Sequence, residues 1–124
     1  MTAAQYRQKQ MQQMSEHQHQ VIVVKEIERM GYPVFAVPNG TNKSRSAQVK
    51  FKAEGLRAGV PDLFVPAPKH GWHGLFIEMK SMKGRTTPQQ RAWMDELISR
   101  GYQCEVCKGY EQAIGKFKEY INAN

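Results

Sequence analysis

The sequence predicts an α/β domain in which a small mixed β-sheet is flanked by helices. Amphipathic helical patterns alternate with short apolar runs typical of strands, and Gly or Pro separates most of these segments. Apart from a brief helix at 46–54, the predicted order is helix, three strands, helix, strand, helix. Because a strand–helix–strand connection within a sheet produces a parallel pair, the sheet should be mixed.

Capping residues mark the ends of the predicted helices. Ser15 and Thr87 are predicted N-caps, since a hydroxyl at this position accepts a hydrogen bond from the first turn, and Pro88 suits the first helical position. Gly31 and Gly101 end these two helices. The predicted segments, in chain order, are a flexible or helical arm (1–14), a helix (15–30), a strand (34–37), a loop (38–42), a brief helix (46–54), two strands (61–65 and 74–79), a helix (88–100), a strand (103–106) and a helix (110–121).

The apolar residues of each long helix fall on one face, which predicts the core. At 124 residues the chain can bury one such core, so residues 15–124 are predicted to form a single domain. The predicted inward faces are Val23, Val24, Ile27 and Met30 in the first long helix, Trp93, Met94, Leu97 and Ile98 in the second, and Ala113, Ile114, Phe117 and Ile121 in the last.

Composition narrows the class of protein. The net charge of +7 and the pI of about 9.6 indicate a polyanionic partner. No stretch is apolar enough to cross a membrane and residues 1–14 lack an apolar signal core, so the chain is predicted to be soluble and cytoplasmic, not secreted. Cys104 and Cys107 suit a reducing compartment, and their spacing on a strand points them to opposite faces, which argues against a zinc site.

Basic residues are concentrated on both sides of two acidic motifs. One cluster precedes Asp62 and another follows Glu78, with no acidic residue from 80 to 94. Basic clusters beside carboxylates are what binding to a phosphate backbone requires. The predicted DNA-binding residues are Lys43, Arg45, Lys50, Lys52 and Arg57 in the first cluster, and Lys83 and Arg85 in the second.

Asp62, Glu78 and Lys80 are the candidate catalytic residues. Asp62 follows Pro61 at the head of one predicted strand. Glu78 and Lys80 share a face of the next strand, because alternate residues of a strand point the same way. A turn cap at Asp62 and a surface ion pair at Glu78 would explain each residue separately. Together with the basic clusters, the three residues indicate phosphodiester hydrolysis.

The same carboxylates predict a metal cofactor. Hard oxygen ligands, without a thiolate or imidazole set, indicate Mg²⁺ or Mn²⁺ held by Asp62 and Glu78. Such an ion polarises a phosphoryl group and lowers the pKa of a bound water. Lys80 would either orient that water or offset charge in the transition state, and its spacing leaves both roles open.

Helix geometry and capping add three candidates. At about 100° per residue, Glu16 and Gln20 lie at the head of the buried stripe of the first long helix. Glu16 is therefore a candidate third acid, or else a partner of the helix dipole, and Gln20 is a candidate supporting residue beside the metal. Gln90 completes a capping box with Thr87, and a supporting role beside the metal is equally open.

Six motifs together resemble those of a nuclease family. They are Ser15-Glu16-His17, Val37-Pro38-Asn39-Gly40, Gly59-Val60-Pro61-Asp62, Glu78-Met79-Lys80, Thr87-Pro88-Gln89-Gln90 with Trp93, and Gly101-Tyr102 followed by Glu105-Val106-Cys107. Over nearly all of residues 15–121 the chain is similar to the PD-(D/E)XK nuclease superfamily and, within it, to stand-alone phage-type members of the VRR-NUC (virus-type replication–repair nuclease) family. The arm at 1–14 lies outside the resemblance.

The resemblance implies a restriction-endonuclease-like core and a metal-dependent DNA endonuclease. Stand-alone members resemble dimeric, structure-specific nucleases related to Holliday-junction resolvases, which implies a homodimer acting on branched DNA. The residues that match the family's functional positions are Asp62, Glu78 and Lys80 as the motif residues, the main-chain carbonyl of Met79 as a metal ligand, Glu16 as the acid of the first helix and Gln90 as the glutamine after the motif strand.

Two other functions fit the same residues. A basic DNA-binding module would use the carboxylates only structurally, and a restriction-type nuclease would read sequence through the basic loop at 39–58. Trp72, in the Pro/Gly/His loop at 66–73, is a candidate for stacking on an unpaired base, or else it folds onto the core.

Overall fold

Hydroxyl caps set the helix boundaries in this computed structural model, which describes residues 1–38 and 44–122. The Ser15 and Thr87 side chains accept hydrogen bonds from the amides of Gln18 and Gln90, and Pro88 is the first residue of its helix, as predicted. Within those ranges the elements are α1 (Ala3–Gln13), α2 (Glu16–Arg29), β1 (Phe35–Ala36), α3 (Arg45–Ala53), β2 (Leu63–Val65), β3 (Leu75–Lys80), α4 (Pro88–Ser99), β4 (Gln103–Lys108) and α5 (Tyr110–Asn122).

These strands form one mixed sheet in the order β1-β2-β3-β4. β2 is antiparallel to both of its neighbours, whereas β3 and β4 are parallel. The register places Ile77 opposite Leu63 on one side and Glu105 on the other. The parallel pair follows from the crossover through α4, so the predicted mixed α/β sheet is confirmed.

Alternation along β3 divides its side chains between two environments. Leu75, Ile77 and Met79 are completely buried and belong to the core, which α2 and α5 cover. Burying a side chain of this size contributes ~1.5–3 kcal/mol. Glu78 and Lys80 project from the opposite face, because neighbouring residues of a strand point to opposite sides.

Strand ends differ from the prediction in all four strands, in β3 by one residue at each end. β1 comprises two residues instead of four. β2 begins at Leu63, so Pro61 and Asp62 precede the strand; proline lacks the amide that a ladder position needs. β4 runs two residues further than predicted, because it follows β3 to its last residue and pairs Lys108 with Lys80.

The helices bury slightly different faces from those predicted. α5 buries Tyr120 completely, because the Tyr120 hydroxyl donates a 2.6 Å hydrogen bond to the Ala67 carbonyl. In α4 Met94 is buried, but Ile98 is 44% exposed in the last turn. The brief helix predicted at 46–54 is α3, and none of its residues is buried. None of the helices in the described ranges combines the length and apolarity that crossing a bilayer requires.

The predicted arm is a helix that is attached to α2. Met11 is 5% exposed, and its carbonyl oxygen lies 3.0 Å from Nε2 of the buried His19. His19 Nδ1 accepts a 3.0 Å hydrogen bond from the Tyr110 amide, which leaves Nε2 as the donor to Met11. One imidazole therefore joins α1, α2 and the start of α5.

Candidate active site

The C-terminal half of β3 places two charged side chains on one face. Glu78 is 2% exposed and Lys80 is 8% exposed. Lys80 Nζ lies 3.5 Å from Glu78 Oε1. An ion pair with so little exposure is not the surface pair considered from the sequence, because desolvation of both charges has to be offset by further partners.

Asp62 lies beside this pair because its carboxylate extends the hydrogen bonding to β3 by one step before β2 begins. Asp62 Oδ2 accepts a 2.8 Å hydrogen bond from the Met79 amide. The last ladder partner of β3 on this side is Leu63, opposite Ile77, so the side chain of Asp62 binds the next amide that faces this edge. The structure thereby brings Asp62 next to Glu78.

Gln90 makes two hydrogen bonds, one that caps α4 and one that reaches a carboxylate of the site. Its Oε1 accepts a hydrogen bond from the Thr87 amide at 2.9 Å, which completes the capping box of α4. Its Nε2 donates to Glu78 Oε1 at 2.7 Å. One side-chain amide therefore fixes the start of α4 and holds the carboxylate of β3.

Burial and mutual repulsion set the charge state of the two carboxyl groups. Burial, followed by the charge of Asp62, raises the pKa of Glu78 to about 7, against the opposing effect of Lys80. Burial also raises the pKa of Asp62, and the hydrogen bond from the Met79 amide counteracts it. Two carboxyl groups with raised pKa values in one site indicate function more than structural pairing.

The donor atoms in this site fit a hard divalent cation. Among the described residues, Glu78 Oε2 is the buried side-chain oxygen or nitrogen that has no hydrogen-bond partner. The Met79 amide faces Asp62, and a strand residue directs its amide and carbonyl to the same side, so the Met79 carbonyl also faces this edge. No three His, Cys, Asp or Glu side chains cluster within residues 1–38 and 44–122, so a cation would need this carbonyl and water besides the two carboxylates.

Glu16 is related to the two carboxylates through its charge, whereas no recorded contact in the described residues joins Gln20 to them. Glu16 is the first residue of α2 and is exposed. Its charge nevertheless contributes to the raised pKa of both Asp62 and Glu78, so it lies near them. Gln20 is half-buried and, in the part of the chain that the structure describes, makes no hydrogen bond to these carboxylates.

Gly59, which the sequence analysis includes in a motif without a role of its own, is a positioning residue. Its φ is +94°, and a Cβ at this position would stand 2.9 Å from the carbonyl carbon of Gln89. The loop before Asp62 can therefore approach the first turn of α4 only with glycine here. The signal in the sequence was a glycine three residues before the acid, but its partner on α4 is visible only in three dimensions.

The predicted DNA-binding residues are exposed and lie next to the site in the chain. α3 has no buried residue, and Arg57 Nη1 donates to the Lys52 and Leu56 carbonyls after the helix ends. Lys43 lies outside the described residues. The exposed cations are Arg45, Lys50, Lys52 and Arg57 around α3, and Lys83 and Arg85 after β3.

Two other candidates for chemistry have structural roles. Trp72 packs against the core, and its loop joins β2 to β3 at the end of the hairpin away from Asp62. Cys104 and Cys107 are free thiols, and burial raises the pKa of each to about 12, as expected for structural cysteines.

Comparisons with known proteins agree with this fold. A family model described as the VRR-NUC domain matches residues 2–111, so it includes most of the arm that the resemblance from sequence had left outside. A solved structure described as a VRR_NUC domain protein has a TM-score of 0.77 and 27% identity, over 90% of this chain and 91% of that chain. Another, described as a VRR_NUC domain, has a TM-score of 0.61 and 21% identity, over 86% of this chain and 99% of that chain, and shows the fold alone.

A curated relative extends the comparison to a named nuclease. A Fanconi-associated nuclease 1 homolog of Arabidopsis thaliana is 43% identical over 54 residues, which are 41% of this chain and 6% of that protein. The aligned region is thus a small part of the relative's length. The family model, in contrast, matches most of the chain, and the matched range includes Asp62, Glu78 and Lys80. The chain therefore belongs to the VRR-NUC family of nuclease domains.

Proposed function

We propose that this chain is a metal-dependent, structure-specific DNA endonuclease that hydrolyses phosphodiester bonds in branched DNA such as a Holliday junction. The observation that carries the proposal is Glu78 Oε2, a buried carboxylate oxygen to which no N–H or hydroxyl group of the described residues donates, next to the Asp62 carboxyl group and beside Lys80. A purely structural carboxylate would have both oxygens paired, because an unsatisfied buried acceptor costs ~1–3 kcal/mol. A divalent cation is the partner that the oxygen donors favour.

The proposed mechanism assigns a separate task to each side chain. Asp62, Glu78 and the Met79 carbonyl would hold Mg²⁺ or Mn²⁺, which when bound polarises the phosphate and lowers the pKa of a bound water. Gln90 occupies Glu78 Oε1 and so leaves Oε2 for the cation. Lys80 Nζ, 3.5 Å from Glu78 Oε1, is placed to orient the attacking water or to offset charge on the transition state.

Phosphate contacts are assigned to the exposed cations of α3 and of the segment after β3. Ala47 and Phe51 are partly buried, whereas the basic side chains of α3 are exposed. Lys83 and Arg85 follow Lys80 in the chain and are exposed. A net charge of +7 favours encounter with DNA, and contacts to phosphate would place the backbone without specifying sequence.

The active species is proposed to be a symmetric homodimer. A four-way junction presents two equivalent strands, and paired cuts need two sites related by a twofold axis. The described residues of one chain supply one such site, built on Asp62 and Glu78. Light scattering at the assay concentration gives the oligomeric state; a strict monomer that still makes paired, symmetric cuts would refute the dimer.

A cleavage panel tests the proposal. Duplex, flap and four-way-junction DNA are incubated with Mg²⁺ or Mn²⁺ and the wild-type, Asp62→Asn or Glu78→Gln protein. Wild-type protein should nick the branched DNA, whereas both variants should fold and bind but not cut. Cutting by either variant near the wild-type rate would show the site to be wrong. No cutting by the wild type would favour a DNA-binding module, and sequence-dependent cutting of duplex would favour a restriction-type nuclease.

A further inference from the structure

A cavity beside the candidate active site has no role in the mechanism above. It has a volume of about 460 Å³ and lies between α3 and α4. Leu56, Val60 and Trp93 supply apolar walls, and Glu54 and Arg57 are the charged residues of its lining. Both the volume and the apolar lining with few polar groups are typical of sites for small organic groups, which occupy ~300–1,000 Å³.

Two residues that line the cavity are close in the chain to residues of the site. Val60 stands two residues before Asp62 in the same loop. Trp93 follows Gln90 by three residues on α4, a spacing that puts Cβ atoms ~5–6 Å apart on one helix face. Because Gln90 also binds Glu78, a molecule bound against Trp93 would lie within reach of a nucleotide next to the cut.

The lining has the chemistry that recognises a nucleobase. Trp93 offers an aromatic surface for stacking, which every base can use. The Glu54 carboxylate can accept a hydrogen bond from an exocyclic amino group. Arg57 Nη1 is occupied by main-chain carbonyls, so its remaining N–H groups can reach a base carbonyl or a phosphate.

Charge indicates that such a base would arrive attached to a nucleic acid. The helix that forms one wall carries Lys50 and Lys52, both exposed, and a free apolar metabolite would have no use for them. We propose that the cavity takes an unpaired base of the DNA substrate next to the scissile phosphate, stacked on Trp93, with a preference for bases that carry an exocyclic amine. The inference rests on the proposed nuclease function and gives it a source of selectivity for branched DNA, where unpaired bases occur.

Fluorescence of 2-aminopurine tests capture of the base without cleavage. The probe is placed at successive positions around the branch point, and the DNA is bound to the Glu78→Gln variant with Mg²⁺. One position should be quenched by stacking, and adding Trp93→Leu should remove that quenching. Trp93→Phe, which keeps an aromatic ring, should retain it, as should Ile98→Ala, an exposed change on the same helix. Quenching that survives Trp93→Leu, or that occurs at no position, would overturn the inference.

Cleavage of a matched abasic junction tests whether capture matters for the reaction. Removing the base at the responsive position should slow the wild-type protein by on the order of tenfold, within the ~5- to 150-fold range that stacking supplies. The Trp93→Leu protein should cleave the intact junction more slowly than the wild type does. It should cleave the abasic junction no more slowly than the intact one. Equal wild-type rates on both junctions would overturn the cavity inference and leave the nuclease proposal standing. No cleavage of any DNA by the wild type would overturn both.

Discussion

The two oxygens of Glu78 have different surroundings, although they belong to one carboxylate. Oε1 accepts a hydrogen bond from Gln90 Nε2 at 2.7 Å and lies 3.5 Å from Lys80 Nζ. Oε2 is buried and has no such partner. Because the donors on Oε1 fix the rotation of the group, Oε2 points in one direction, and a cation bound there would meet a ligand that is already oriented.

Glu78→Gln should stabilise the cation-free protein at pH 8 and change it little at pH 5. The folded-state pKa of Glu78 is about 7, above its ordinary value of 4.5. Between these values the folded chain holds a proton that the unfolded chain has released, so the free energy of unfolding falls as pH rises from about 4.5 to about 7. Glutamine does not titrate, so in the variant this decrease in the free energy of unfolding is absent. Urea denaturation in EDTA measures it, and equal effects at both pH values would contradict the shift.

Lys80→Ala should lower the rate of cleavage while affecting cation binding less than Asp62→Asn does. The loss expected for a group that serves proton transfer is on the order of 10²- to 10⁴-fold. Lys80 is no cation ligand, so its removal takes away no donor, whereas Asp62→Asn removes a ligand charge. Calorimetric titration with Mn²⁺ and single-turnover rates separate the two effects. Equal loss of Mn²⁺ affinity in both variants would mean that Lys80 maintains the structure of the site instead of acting in the reaction.

At the scale of elements, the site forms where the hairpin of β2 and β3 meets the first turn of α4. Asp62 and Glu78 come from the hairpin, and Gln90 comes from the helix. The close approach of Gly59 to Gln89 joins the two. A substitution that shifts α4 should therefore lower the rate of cleavage before it disturbs the structure of the sheet.

Gln90→Ala should slow cleavage by about 10- to 100-fold, as loss of groups that orient metal ligands does. The matched control is Thr87→Ala, which removes the other half of the capping box and costs ~0.5–2 kcal/mol of stability. Because Thr87 has no bond to Glu78, this control should cut at close to the wild-type rate. Equal slowing in both variants would mean that Gln90 acts only as a cap.

Gly59→Ala should destabilise the protein more than Gly55→Ala. Both glycines have positive φ, +94° and +104°, so both variants strain the backbone. Only at Gly59 would the new Cβ meet another main chain, 2.9 Å from Gln89, whereas nothing lies within 4 Å at Gly55. The additional cost should be ~1–3 kcal/mol, as for overpacked sites. Denaturant midpoints measure it, and equal losses would contradict the proposed close approach.

Local patterns predicted elements and faces but not contacts between elements. Two-residue alternation correctly put Glu78 and Lys80 on one face, and hydroxyl caps correctly marked Ser15 and Thr87. The hydrogen bond between Gln90 and Glu78 depends on where α4 crosses the sheet, which no local pattern encodes.

Two further errors of the sequence reasoning have the same origin. The strand at Asp62 was placed two residues too early, because the ladder ends where the side chain replaces the main chain. The burial of His19 was missed, since it depends on Met11 and Tyr110 from two other helices.

At the scale of the whole molecule, the net charge of +7 predicts that DNA binding weakens steeply with salt. Replacing Lys50 and Lys52 with glutamine should make the slope of log affinity against log salt shallower by up to about 1.8 on duplex DNA, from ~0.9 per phosphate contact. The matched control replaces Lys116 and Lys118, two exposed lysines of α5, and changes net charge equally. Fluorescence anisotropy between 50 and 200 mM salt, roughly the range over which such contacts are lost, measures the slope. Identical slopes in both variants would mean that the DNA backbone does not contact Lys50 and Lys52 of α3.

The proposed cation ligands are close together in the sequence as well as in space. Asp62, Glu78 and Met79 all belong to the hairpin of β2 and β3, and Asp62 and Met79 are 17 residues apart. Gln90 and Glu16, in contrast, belong to helices that join the hairpin through tertiary contacts. Local opening of α2 or α4 would therefore abolish catalysis while leaving a chelating hairpin intact. Such a chain would bind the cation without cleaving DNA. Metal content alone would therefore overestimate the active fraction of a preparation.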